Sequence, residues 1–353
     1  MAVARKETVV EGDEGFYHCM SRCVRRAFLC GQDPYTGKSF EHRRGWVQNR
    51  LEFLAGLFGM EICAFAVMSN HLHVILRTRP DWVEEWSDDE VAKRWLTLFP
   101  KHKSGNEAAN SPTDAEIAAL ADERVGEYRV RLGSISWFMR CLNETIARRA
   151  NREDDCTGRF WEGRYKCQSL LDESAVLACL AYVDLNPVRA GEADSPESSL
   201  YTSAYLRLTA QKARARLAGF SERVKNPTGP QQALFVREKT KAGLDSWLCP
   251  LEKGSNGLGR GALNFAFPEY LDLLDWTGRQ LREGAKGAIP EDLGSLIVRF
   301  SIDRDNWLTL VESYGGLFYR AAGKFRSLQE AARKSGRRWF HGLKASRRVF
   351  IND

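Results

Sequence analysis

No stretch of this sequence reaches the roughly 18 uninterrupted apolar residues that a membrane-spanning helix needs. No apolar leader resembling a secretory signal precedes the first cysteines, and no internal repeat or low-complexity tract breaks the chain. Cys19, Cys23 and Cys30 lie close together, but no second closely spaced pair completes a zinc-ligand pattern. These absences argue against a membrane protein, a repeat array and a zinc ribbon, and they make a soluble protein the expectation. Nine cysteines, an odd number scattered along the chain, read as core thiols kept reduced, which favours the cytoplasm. Histidine is also scarce: His18, His42, His71, His73, His102 and His341 are poorly arranged for a hydrolase built on a histidine cluster.

What is present supports a substantial fold. The 353 residues are 43% hydrophobic, enough for a sizeable core and for a second, smaller domain beside the main one. The formal net charge is +6 with a pI near 8.8. The excess is concentrated near the end, where Arg320 to Val349 carry ten Lys or Arg, including Arg337 and Arg338, against Glu330 alone. Such a stretch suits a polyanion, with a solvated helix face as the alternative.

Along the chain, "GFYHCMSRCVRRAFLC" predicts a first strand, a basic turn at Arg25 and Arg26, and a short return ending near Cys30. Helical spacing of Trp46, Leu51, Leu54 and Leu57 predicts a helix over about 41–59. "EICAFAVM" and "HLHVILRT" then read as two strands joined at Ser69-Asn70. An insertion of helices is expected over about 80–130, where Ser87 with Glu90 and Thr113 with Glu116 fit capping boxes. A helix from Ser134, a strand after "GRFWEGRYK", and a helix capped by Asp172 and ending near Asn186, before Pro187, complete the pattern. A further helix is expected over 203–217. The fold class is therefore α+β, with a catalytic domain over 1–220, a weakly patterned linker over 221–262, and a basic helical domain over 263–353 without a strong strand signal.

The chemistry concentrates in "AVMSNHLHVIL". Period-two alternation sends His71 and His73 to one face and Leu72 and Val74 to the other. A core strand gains nothing from two adjacent imidazoles unless each finds a partner, so they are either exposed or hold a ligand. Two histidines need at least a third protein ligand or several waters to fix a metal. Tyr182 and Asn186 are four residues apart, which on one helix puts a phenol and an amide on one face, and an amide oxygen can ligate a hard divalent ion. Ala175, Ala178 and Cys179 are small and would leave room for a substrate beside the phenol. Tyr165 and Tyr201 are rivals for a nucleophile, and Tyr182 alone also reads as a packing residue.

Taken in order, His71-Leu72-His73 after "MSN", then "GRFWEGRYK", then "YVDLNPVRAG" resemble the HUH single-tyrosine transposases, particularly the REP-associated tyrosine transposases, over roughly residues 15–200. The resemblance implies a ferredoxin-like βαββαβ sheet and metal-dependent cleavage and rejoining of single-stranded, hairpin-forming DNA. It implies that His71 and His73 bind Mg²⁺ or Mn²⁺, with Asn186 as a polar third ligand where some relatives use glutamine. Tyr182 would be the nucleophile, forming a 5′-phosphotyrosine and freeing a 3′-hydroxyl. Phenols ionise with a pKa of about 10, so a nearby cation would favour the phenolate. His18, on the first strand, is expected to give structural support.

A single strand also needs cations and stacking surfaces. Arg22, Arg25, Arg26, Arg159, Arg164 and Lys166, with Phe160 and Trp161, are candidates, as are Arg337 and Arg338. Arg189 either contacts phosphate or caps the carbonyls of the helix that precedes it. The partner expected is single-stranded or hairpin DNA, bound by a monomer or homodimer that is cytoplasmic and nucleoid-associated when on DNA. The alternatives are a catalytically silent DNA-binding protein of the same fold and an unrelated metallohydrolase.

Overall fold

Three strands come from the first 80 residues because apolar, β-branched and aromatic side chains alternate there with short polar breaks. β1 (Phe16–Arg22) leads through α1 (His42–Ala55) to β2 (Met60–Val67) and β3 (His71–Thr78). The last two form the expected hairpin, whose tip is closed by the Met68 N–H donating to the His71 carbonyl at 2.8 Å. In this computed structural model, residues 12–24, 29–33, 36–101, 111–223, 229–252, 263–283 and 294–351 are described. Arg25, Arg26 and His102 lie outside them.

The expected insertion holds α2 (Pro80–Glu85), α3 (Asp88–Leu98) and α4 (Asp114–Leu132). The Ser87 hydroxyl accepts the Glu90 N–H, and Thr113 and Glu116 make the full reciprocal box, so two orphan amides of the helix start are satisfied there. α5 (Ile135–Glu153) follows Ser134 and leads through a loop to β4 (Lys166–Leu170). β4 pairs antiparallel with β1, and β1 with β3. The sheet order is β2-β3-β1-β4-β5, where β5 (Ala321–Ala322) is a two-residue strand parallel to β4 that the helical patterning of the last third did not signal.

Asp172 caps α6 (Glu173–Asp184), its Oδ1 accepting the Ala175 N–H at 3.0 Å. The helix stops sooner than expected. Asn186 opens a separate turn, α7 (Asn186–Arg189), so Tyr182 and Asn186 do not share one helix. Pro187 explains the break, since it has no N–H to donate to the Val183 carbonyl and disfavours helical geometry in the residue before it.

α8 (Ser203–Arg223) is followed by α9 (Gly229–Ala242), which lies inside the stretch expected to be a linker. Most of α9 is exposed, with Glu238 as its buried residue, which is why its apolar periodicity is weak. Beyond it, Leu248, Cys249 and Leu251 are buried, and the Cys249 N–H donates to the Ile62 carbonyl on β2 at 2.8 Å. α10 (Phe267–Glu283), α11 (Ser295–Arg299), α12 (Trp307–Leu317), α13 (Phe325–Lys334) and α14 (Leu343–Val349) complete the chain.

The two sheet faces carry different cores. One packs Tyr17, Cys19, Leu72, Val74 and Leu76 against α1 and α5. The other packs Ala64, Ala66, Ile75 and Leu170 against α6, and this cluster continues into Trp307, Leu310 and Tyr314 of α12. β2 serves both by alternation, and the register shift between Ile62 and Ala64 puts adjacent Cys63 and Ala64 in the same cluster. Among the described residues, no helix is long and apolar enough to cross a membrane.

Candidate functional site

Strand register builds the site. Arg22 lies opposite His71, Met20 opposite His73, and His18 opposite both Ile75 and Gln168, so alternation puts His18, His71, His73 and Gln168 on the face covered by α6. His18 Nε2 and His73 Nδ1 share a hydrogen bond of 2.8 Å, with the rings stacked at 5.0 Å. On its other side, His73 Nε2 accepts from the Asn186 amide at 3.2 Å. His71 Nδ1 pairs with Asn70 Oδ1 at 2.6 Å, and its ring meets that of His73 edge-on at 4.8 Å. Gln168 lies opposite His18 in the β1–β4 register and is buried beside it, its Oε1 without a hydrogen-bond partner.

These imidazoles are kept neutral. Burial lowers His18 to about 4 against the opposing pull of the neighbouring Gln168 amide, and His71 adds repulsion. Burial also lowers His71 to about 4, with Arg22 adding to the effect and Glu192 opposing it. His73 is held well below its ordinary value by burial and by His18, His71 and Arg189. Neutral imidazoles can accept protons or ligate a cation, which charged ones cannot.

Tyr182 reaches the same place from α6. Its ring meets His73 edge-on at 5.6 Å and His18 at 6.0 Å. The Arg189 guanidinium lies 4.7 Å from the Tyr182 ring centroid, and the Arg189 Nη2–H donates to the Glu312 carbonyl of α12. Tyr165 and Tyr201, the rivals, belong to the cluster on the opposite sheet face, where the Tyr165 hydroxyl pairs with Ser136. The room expected beside the phenol is absent: Ala175, Ala178 and Cys179 are fully buried. Tyr314 of α12 packs on Tyr182 at 5.2 Å, and a Cβ built on Gly315 would sit 3.1 Å from the Tyr182 hydroxyl. Small side chains on α6 let α12 approach instead of leaving a cleft.

The donor set fits a divalent cation in part. Among the described residues, no three His, Cys, Asp or Glu side chains are grouped to hold a metal ion. His18, the third imidazole, spends its Nε2 on His73. A ligand set of His71, His73 and Asn186 requires the Asn186 amide to turn its oxygen, in place of Nδ2, toward the His73 Nε2 lone pair.

The other candidates are spread more widely. Arg22 is exposed at the end of β1, 4.0 Å from Glu162; Arg159, Arg164 and Lys166 are exposed on the segment entering β4. Trp161 is half-buried and bridges to Cys23, while Phe160 is buried. Arg337 and Arg338 lie between α13 and α14, and the basic stretch around them is partly structural: Leu328, Ala332 and Val349 are buried and Arg347 covers the Phe325 ring at 3.9 Å. Cys19, Cys23 and Cys30 are buried, consistent with core thiols. Burial raises the Cys30 thiol to about 12 despite Arg44 nearby.

Sequence reasoning gave no role to Gln168, Tyr314 or Gly315. For Gln168 a signal exists, a polar residue in strand alternation within "KCQSL", flanked by inward-facing Leu170. For the two α12 residues there is none, because their contact with Tyr182 depends on tertiary packing.

The chain matches no protein-family model and no curated protein. Among solved structures it is similar to a REP-associated tyrosine transposase bound to a REP hairpin, with a TM-score of 0.34 and 11% sequence identity, covering 57% of this chain and 82% of that chain.

Proposed function

We propose that this chain is a DNA strand transferase of the transposase kind, which nicks and rejoins hairpin-forming single-stranded DNA on a ferredoxin-like βαββαβ sheet. The observation that carries the reading is the convergence of a phenol from α6 on neutral imidazoles from β1 and β3, with Tyr182 and His73 rings 5.6 Å apart. The Tyr182 hydroxyl attacks a phosphodiester phosphorus, forming a 5′-phosphotyrosine as the bond to the 3′-oxygen breaks. The phenolic proton leaves to a neutral imidazole or to water, and the released 3′-oxygen takes one up. Attack by a 3′-hydroxyl on the phosphotyrosine reverses the step and restores the phenol, so rejoining needs no external energy source.

His18 holds the His73 ring through its Nδ1, and Arg189 steadies the phenol. Arg22 and Lys166, on the same sheet face as His71 and His73, are placed to attract the backbone. His71, His73 and Asn186 would hold a Mg²⁺ or Mn²⁺ ion, which when bound supplies Lewis-acid polarisation of the phosphate.

The test is to incubate the protein with a 3′-labelled pool of hairpin oligonucleotides with randomised flanks and Mn²⁺, then look for labelled protein under denaturing conditions. A covalent adduct in the wild type and its loss in Tyr182→Phe is the expected result; equal labelling of both overturns the nucleophile assignment. The second reading is a catalytically silent DNA-binding protein. It is favoured by the packing of Tyr314 and Gly315 on Tyr182, and it predicts salt-dependent binding with no adduct under any metal condition.

A further inference from the structure

A cavity of about 470 Å³ opens between α5 and the loop entering β4, on the side of the sheet away from the histidines. Trp137, Arg140 and Asn143 of α5 line it on one side, and Trp161, Arg164 and Tyr165 on the other. We propose, building on the DNA reading above, that this cavity is a stacking pocket for one unpaired base of the bound strand.

Its walls have the chemistry of base recognition. The Trp161 indole is half-exposed and held in place by its Nε1–H, which donates to the Asn143 carbonyl at 2.8 Å. Trp137 carries the guanidinium groups of Arg131 and Arg140 at 4.5 and 4.8 Å from its ring centroid, so a cation–π platform stands at the opposite wall. Indole and guanidinium planes are the surfaces on which unpaired bases stack, whatever their sequence.

The charge lining the cavity favours a base over a phosphate. Glu144, held by Arg140 at 3.3 Å, would repel a phosphate that entered the cavity. The backbone therefore stays at the rim, where Arg140 and Arg164 are exposed.

The pocket is connected to the histidine face by register. Trp161 bridges to Cys23, the residue after Arg22, and Arg22 lies opposite His71. Lys166, two residues beyond Arg164, lies opposite Met20, which is itself opposite His73. A single strand with one phosphate at His71 and His73 thus meets Arg22, Lys166 and Arg164 as it turns around the end of β1 toward Trp161.

The experiment compares a short fluorescent oligothymidylate with a base-less strand of the same length and phosphate number, by anisotropy, using the full chain in about 0.1 M salt. The intact protein should prefer the oligothymidylate by about tenfold. Trp161→Leu should bring that ratio toward one, and Trp161→Phe, which keeps an aromatic face, should retain most of it. Equal affinity for the two strands in the intact protein overturns the pocket and leaves phosphate-led DNA binding standing. A preference that survives Trp161→Leu, or one lost equally in the Leu and Phe variants, also overturns it. Binding of neither strand, even at low salt, overturns the DNA reading together with the pocket.

Discussion

His18 and His73 come from neighbouring strands and share one hydrogen bond, Nε2 to Nδ1 at 2.8 Å, while the second nitrogen of His73 faces Asn186 at 3.2 Å. One ring of the pair therefore fixes the orientation of the other. The hydrogen bond also sets the tautomer: if Nε2 of His73 accepts from Asn186, its Nδ1 carries the proton given to His18. Partners of this kind orient a functional imidazole without touching the substrate.

Replacing His18 should expose that role. His18→Ala is expected to reduce formation of the protein–DNA adduct by about 10- to 100-fold, as the loss of an orienting partner does elsewhere. Affinity for the strand should change little, because the cations remain. Adduct yield and anisotropy measured on the same preparation check both halves, and His18→Gln, which can still accept from His73, should recover part of the rate.

Acid should weaken the fold through the same rings. His18 and His71 titrate near 6.5 when unfolded and near 4 when folded, so between these values the unfolded chain binds more protons. Stability is then fully present above about pH 6.5 and falls as the pH drops toward 4. For buried His18 alone the loss approaches roughly 3 kcal/mol at the acid end. Denaturant melts across this range should show the decline, and it should shrink in His18→Gln.

Arg43 is expected to matter for stability and not for chemistry. Its guanidinium is 1% exposed at the start of α1 and binds Glu153 at 2.6 Å and Asp154 at the end of α5. Arg43→Ala removes the guanidinium from Glu153, which keeps its contact to His42 Nε2 at 2.6 Å, and from Asp154, and should cost about 3 kcal/mol, read from chemical denaturation. Arg43→Met, which refills the space over Phe40, should cost less than Ala.

Gly342 marks a tight approach near the chain's end. Its φ is +110°, and an added Cβ would lie 2.7 Å from Phe318 Cδ1 and 2.9 Å from the Leu317 carbonyl oxygen. Gly342→Ala should therefore destabilise by about 1–3 kcal/mol, visible as a lowered Tm. Gly336, at φ +66° with open space around it, should pay only the conformational cost when changed to Asn, a residue that tolerates this region.

The features legible in the sequence are local ones. Alternation in "HLHVILRT" determines that His71 and His73 share a face, and Ser87, Thr113 and Asp172 start their helices through hydrogen bonds that span three residues. The order of strands and helices through α6 follows from the same kind of pattern. The tertiary structure decided the rest. The partner of His73 lies 55 residues away and is selected by the β1–β3 register. Gln168 joins through the β1–β4 register, α9 hides its signal by exposing most of its surface, and Tyr314 and Gly315 meet Tyr182 because small residues on α6 admit α12. Side-chain spacing within an element is a property of the backbone repeat, whereas contacts between distant elements are chosen by packing across the whole chain.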